Sequence, residues 1–244
     1  MILELDCGNT RIKWRIRSGD EICSKGAFLT VESFEQVSEL ESAKNIQRVL
    51  VSSVLDDDFV KKLVSWSLIR FGVNPEFAVS EHRCNGVVNG YQHPEKLGVD
   101  RWLAILAAKS RSDKACIVVD CGSAITVDLM TSQGEHLGGY IAPGLRLMRE
   151  ALGLKTAGIK LGQIGYPEEL FPGRNTVVAI KAAELAMLTG LVEQAKSVLR
   201  HYDVADIKLW VTGGDGQWLS SMFENSVFVE DLVLDGLDIA MAAI

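Results

Sequence analysis

Asp6-Cys7-Gly8 recurs as Asp120-Cys121-Gly122, 114 residues further along a chain of 244, and each copy follows a short apolar run. The first copy continues as Asn9-Thr10-Arg11-Ile12-Lys13, the second as Ser123-Ala124-Ile125-Thr126-Val127-Asp128. A carboxylate at a strand end, a glycine two residues on, then hydroxyls and amides make a turn suited to phosphate or a hydrated cation. Gly8 has no Cβ and lets the backbone approach an anion closely. Asn9 and Thr10 can donate hydrogen bonds to phosphate oxygens. Lys13 brings a mobile positive charge to the same place. Asp6 cannot touch phosphate directly, and it fits better as a ligand of Mg²⁺ through water. Asp120 is suited to a cation or to orienting a phosphate-bound water, with Ser123 and Thr126 supplying hydroxyls. One such turn reads simply as a satisfied hairpin. Two, at lobe spacing, point to two related lobes facing one polyanion.

Three further segments carry polar candidates. Gly98-Val99-Asp100-Arg101 joins an irregular loop to an apolar helix. There Asp100 reads either as the N-cap of that helix or as a base taking the proton of a substrate hydroxyl. Arg101 would then bind a substrate carboxylate or a phosphate oxygen. Thr212-Gly213-Gly214-Asp215 follows a predicted strand; its glycines permit close packing on a flat ring or ribose, and Asp215 is placed to cap a following helix. Gly138-Gly139 lies inside a strand pattern, where glycines mark close approach of a backbone or ligand. Asp128, near the far end of its strand, reads as solvated.

These residues need a scaffold, and the pattern supplies one. Ile12, Trp14 and Ile16 alternate with Arg11, Lys13, Arg15 and Arg17, which gives a strand with one apolar and one cationic face. Gly19-Asp20 predicts a hairpin to a strand near 26–30. The same strand–hairpin–strand order returns after Cys116, with Gly134 at the turn. Helical spacing marks Phe34, Val37 and Leu40, a helix capped near Asp56, one from Trp102, one through Leu147 and Met148, a long one over 176–199, and a closing one over 234–243. Residues 81–100 read as loop, and 154–174 lack a clear period. The repeat sets the lobe boundary near residue 114.

The bulk numbers limit the alternatives. The formal charge of −7 argues against nucleic-acid or acidic-membrane binding. Five cysteines with no C-x-x-C pair argue against a disulfide framework or a zinc site. The N-terminal residues do not read as a signal peptide. The longest near-apolar stretch, Trp102 to Ala108, is too short to cross a bilayer. A cytoplasmic protein is expected.

Together the motifs resemble those of type III pantothenate kinase, a family of the acetate and sugar kinase, Hsc70 and actin superfamily. The resemblance rests on Asp6-x-Gly8-Asn9-Thr10-x-x-Lys13, Asn89-Gly90-Tyr91, Gly98-x-Asp100-Arg101, Asp120-x-Gly122-Ser123-Ala124-x-Thr126-x-Asp128, Gly138-Gly139-Tyr140-Ile141-x-Pro143-Gly144 and Thr212-Gly213-Gly214. It implies an α/β fold of two tandem ribonuclease H-like, actin-like ATPase lobes, 1–114 and 115–244, with mixed sheets flanked by helices. It implies ATP-dependent phosphorylation of pantothenate at its terminal hydroxyl, the first step toward coenzyme A. By the same resemblance Asp6, Cys7, Gly8, Asn9, Thr10, Arg11, Ile12 and Lys13 form the first phosphate loop, and Ser123 contacts ATP. Asp100 becomes the proton acceptor. Tyr91, Gly98, Val99, Asp100 and Arg101 line the pantothenate site, and Thr176 reaches it from the partner subunit of a homodimer. Asp120 becomes the ligand of K⁺ or NH₄⁺, and Mg²⁺ accompanies ATP. Ser123 stands where threonine is usual and keeps the hydroxyl; Val99 stands where alanine is common. A phosphohydrolase, another small-acid or sugar kinase, and a non-catalytic nucleotide-binding regulator are the rival readings.

Overall fold

The structure is a computed structural model describing residues 1–32, 34, 37, 38, 40, 43–155, 165, 166, 171–202 and 206–242. The chain divides into two compact units: Met1–Arg111 with the C-terminal segment from Asp231, and Ser112–Glu230.

The first unit opens with β1 (Ile2–Cys7), β2 (Arg11–Ser18) and β3 (Glu21–Leu29), which run as an antiparallel meander. Gly19, at φ +59°, makes the turn between β2 and β3. Next come β4 (Arg48–Ser53), α1 (Asp57–Phe71) and β5 (Pro75–Phe77), with β4 parallel to β1 and β5 parallel to β4. The sheet order is β3-β2-β1-β4-β5. Asp56 caps α1 by accepting from Phe59 N at 2.9 Å, and Gly72 ends the helix in the left-handed conformation. One sheet face buries Leu3, Leu5, Ile12, Trp14 and Val51 against Leu63 and Trp66 of α1. Phe34 stacks on Trp66 at 4.5 Å, and Leu40 is fully buried. The helix expected around Phe34 to Leu40 falls partly on residues 35, 36 and 39, outside the described set.

The stretch read as loop, 81–100, is more ordered than its composition indicates. β6 (Arg83–Cys84) and β7 (Val87–Val88) form a hairpin around Asn85 and Gly86, at φ +45° and +78°. This is the Asn-Gly pair that a two-residue hairpin with both central residues at positive φ favours. A 3₁₀ turn, Pro94–Lys96, leads to α2 (Val99–Arg111).

The second unit repeats the plan. It holds β8 (Cys116–Cys121), β9 (Ala124–Met130), β10 (His136–Pro143), α3 (Leu145–Lys155), α4 (Thr176–Leu199), β11 (Lys208–Thr212), α5 (Gly216–Ser220) and β12 (Ser226–Phe228). Its sheet order, β10-β9-β8-β11-β12, matches the first position for position. Ile117, Val119, Ile125 and Val127 face Leu188 and Val192 of α4. Most of the expected aperiodic segment, 156–164 and 167–170, lies outside the described residues.

The lobe limits differ from the expected 1–114 and 115–244. The last helix, α6 (Leu232–Ala242), belongs to the first unit. Its seat is both steric and ionic. A Cβ on Gly236 would lie 1.9 Å from Leu103 O, so α6 and α2 touch backbone to backbone. Glu4, wholly buried on β1, accepts from Arg15 Nε at 2.5 Å and Arg17 Nε at 2.9 Å. Arg15 also reaches Asp235 at 2.6 Å, Arg17 pairs with Asp238, and Arg111 bonds Asp235 at 2.5 Å. Buried charges require such partners, and α6 carries them. The cationic face of β2 was legible in the sequence; its partners, more than 200 residues away, were not.

Candidate active site

In the first unit, Gly8 N donates to Arg11 O at 3.1 Å and closes the Asn9-Thr10 turn, while Thr30 Oγ1 donates to Gly8 O at 2.8 Å. Asp6 and Lys13 are partners across the β1–β2 ladder. Neighbouring antiparallel residues share a face, so carboxylate and ammonium rise together beside the turn. Asn9 and Arg11 are exposed. The Cys7 and Ile12 side chains instead enter the core, so these two can meet a ligand only through backbone atoms. Burial, reinforced by the Asp6 charge, raises the Cys7 thiol far above its ordinary pKa and keeps it neutral.

The same unit assembles Tyr91, Gly98, Asp100 and Arg101. The first bond of α2 runs from Trp102 N to Gly98 O at 3.0 Å, which makes Gly98 the N-cap. Asp100 is therefore not the capping residue; it lies in the first helical turn. Its Oδ1 accepts from Arg101 N at 2.8 Å, at the N-terminal end of the helix. A Cβ on Gly98 would sit 2.7 Å from that Oδ1, so a side chain there would displace the carboxylate. Arg101, 6% exposed, donates from Nη1 to Tyr91 Oη at 2.6 Å, with its guanidinium 5.5 Å from the ring centroid. Val99 is half-buried beside them.

In the second unit, Gly122 N donates to Ala124 O at 3.0 Å and brackets Ser123. Gly144 N donates to Ser123 O at 3.0 Å, and a Cβ on Gly144 would lie 2.4 Å from Gly122 O. Asp120 pairs in register with Thr126. Gly213, at φ +89°, leaves room for Asp120: a Cβ there would fall 2.4 Å from Asp120 Oδ1. Thr176 lies on the first turn of α4, capped by Asn175 accepting from Val178 N at 3.0 Å. It lines an apolar cavity of about 400 Å³ with Met148, Leu152, Ala179, Ile180 and Met187. Arg149 and Glu184 form a bidentate pair at 2.7 and 2.6 Å, and Glu184 also lines the cavity.

Two polar residues do other work than the sequence implied. Asp128 is 2% exposed and lies 2.9 Å from His136 Nε2, so it is a buried partner, not a solvated residue. Asp215 makes no side-chain cap on α5. It accepts from Tyr166 Oη at 2.9 Å, and the Tyr166 ring stacks on Trp218 at 5.0 Å. No sequence signal links Tyr166 to a turn 49 residues downstream.

Among the described residues no group of three or more His, Cys, Asp or Glu side chains could hold a metal, and no helix is long and apolar enough to cross a membrane. The hard oxygen donors of Asp6 and Asp120 suit Mg²⁺ and monovalent cations that keep water or share phosphate oxygens.

The family model for type III pantothenate kinase matches residues 2–197. Type III pantothenate kinases from Ectopseudomonas mendocina and Cellvibrio japonicus are each 38% identical to the chain, covering 98% of it and 98% and 96% of their own lengths. Among solved structures, a Campylobacter jejuni protein provisionally described as a Baf family transcriptional activator superposes with a TM-score of 0.64 at 20% identity, over 99% of this chain and 98% of that one. A Sinorhizobium meliloti protein provisionally described as a 2-dehydro-3-deoxygalactonokinase gives 0.59 at 12% identity, over 100% and 99%. Those two likenesses bear on the fold alone, which the chain shares over nearly its whole length. The near-full-length identity to curated relatives and the family match carry more: this chain is a member of the type III pantothenate kinase family.

Proposed function

We propose that this chain transfers the γ-phosphoryl group of ATP to the terminal hydroxyl of pantothenate, with Asp100 as the proton acceptor. The observation that carries the reading is the grouping at the start of α2: an Asp100 carboxylate anchored by Arg101 N, beside a buried Arg101 held against Tyr91. One helix start thus offers a base for an alcohol and a cation for an acid, and pantothenate contains both groups.

Phosphoryl transfer depends on alignment and charge neutralisation more than on covalent help. Lys13, Asn9, Thr10 and the amides of residues 6–13 hold the triphosphate, and Ser123 adds a hydroxyl. Asp6 would hold Mg²⁺ through water and Asp120 would hold K⁺ or NH₄⁺, and the charge supplied there would offset that of the phosphates. Asp100 orients the acceptor hydroxyl and takes its proton, while Arg101 with Tyr91 binds the pantothenate carboxylate. Gly98 and Val99 shape the wall around them. A homodimer completes the site through Thr176, and its support is the apolar cavity at the α3–α4 face, lined in part by exposed Met187, with exposed Val177 and Val178 on the same helix. A cytoplasmic location follows from the biosynthetic role.

The test is a reaction of the purified chain with ATP, Mg²⁺, K⁺ and pantothenate, followed by mass detection. We expect ADP and a singly phosphorylated pantothenate in equal amounts. Phosphate release at the same rate without pantothenate would instead identify a hydrolase.

A further inference from the structure

We infer that Asn89 is a positioning residue that sets the carboxylate end of the acid site by fixing Tyr91 on Arg101. The inference rests on the reading of Arg101 and Tyr91 given above. Asn89 is 5% exposed. Its Nδ2 donates to Glu81 O at 3.1 Å and to Pro94 O at 3.2 Å, and its Oδ1 accepts from Tyr91 N at 3.0 Å. Its backbone N donates to His82 O at 2.9 Å.

The carboxamide therefore joins three points of the loop. Glu81 precedes the β6–β7 hairpin, Pro94 opens the 3₁₀ turn that leads to α2, and Tyr91 lies between them. Two donors meet two carbonyls and one acceptor meets one N–H, so the orientation of the amide is fixed by its partners. No other side chain of this size offers two donors and an acceptor in one plane. Aspartate would set an anionic oxygen against two carbonyls. Alanine would leave two carbonyls and one amide of the loop without this partner.

What this bracing delivers is the Tyr91 hydroxyl, 2.6 Å from Arg101 Nη1. A phenol held there fixes the plane of the guanidinium, and that plane decides whether a carboxylate can bind in two-point fashion. Asn89 thus acts on the substrate through Tyr91 and Arg101 without touching it.

The experiment compares pantothenate with pantothenol, its neutral alcohol analogue, in the wild type, Asn89→Ala, Tyr91→Phe and the double variant. We expect Asn89→Ala to raise the KM for pantothenate about tenfold, the scale of a lost buried hydrogen-bond network. The KM for ATP should stay within about twofold, and the preference for pantothenate over pantothenol should shrink in parallel. The double variant should lose no more preference than the worse single one, because both act through one contact. An unchanged preference in Tyr91→Phe, or additive losses in the double variant, would overturn the inference however Asn89→Ala folds. So would equal rises in both KM values, the mark of a merely loosened loop. A wild type that does not distinguish pantothenate from pantothenol would remove the carboxylate reading itself, which is a separate failure.

Discussion

The two acidic turns share a backbone plan and differ in what stands around the carboxylate. Opposite Asp6 the ladder places Lys13; opposite Asp120 it places Thr126. The first turn closes from Gly8 N to Arg11 O around two polar residues, Asn9 and Thr10, whereas the second closes from Gly122 N to Ala124 O around Ser123 alone. Gly213 packs onto Asp120, and no glycine contact of that kind is seen at Asp6 among the described residues. On the proposed reading, a duplicated scaffold is divided between two tasks. The turn with an ammonium and extra donors suits a polyanion, and the turn whose carboxylate faces a hydroxyl suits a small cation.

That contrast can be tested at matched positions. Lys13→Met should lower kcat/KM for ATP by about 10²–10³-fold, as loss of a preorganised charge does, while Thr126→Val should cost under about tenfold. Steady-state kinetics over ATP concentration reads both, and equal losses would erase the distinction. Next, Asp6→Asn should weaken Mg²⁺ dependence by about 10- to 100-fold, the range for water-mediated ligands, and leave stimulation by K⁺ intact. Asp120→Asn should do the reverse. Titrating each cation at fixed concentrations of the other would expose a swap of roles. Smallest is the effect on folding. Gly213→Ala combines a left-handed backbone with a Cβ 2.4 Å from Asp120 Oδ1 and should cost about 1–3 kcal/mol. At Gly8 a Cβ would lie 3.1 Å from Arg11 O with no left-handed φ, and alanine there should cost less. Denaturant midpoints of the two variants rank them directly.

The sequence made the duplication legible because both copies keep the strand-end aspartate, the glycine and the alternating strand that follows. The helix over 176–199 was equally plain, since Ala, Leu, Glu and Lys dominate it and Asn175 caps it. The return of α6 to the first unit was not, because its cause is the pairing of Arg15 and Arg17 with Asp235 and Asp238 across the chain. Asp128 misled for a related reason. Its strand position alternates with the core residues Val127 and Leu129, which implies the other face, yet it is buried there with His136 of the next strand 2.9 Å away. At the acid site, Asp100 and Arg101 stood out as charges before an apolar helix, but the shift of the cap to Gly98 depended on backbone geometry. The Asn85-Gly86 hairpin could have been read from its turn residues; the bracing by Asn89 could be read only in part, since its bond to Tyr91 N is a local turn whereas Glu81 O and Pro94 O are brought to it by the folded loop.

The most direct trial is single-turnover phosphorylation of pantothenate by Asp100→Asn, with ATP binding measured on the same preparation. A carboxylate acting as general base contributes about 10²–10⁴-fold, so the variant should bind ATP normally and transfer phosphoryl slower by that factor. Transfer at close to the wild-type rate would contradict the assignment of Asp100 and, with it, the placement of chemistry at the start of α2.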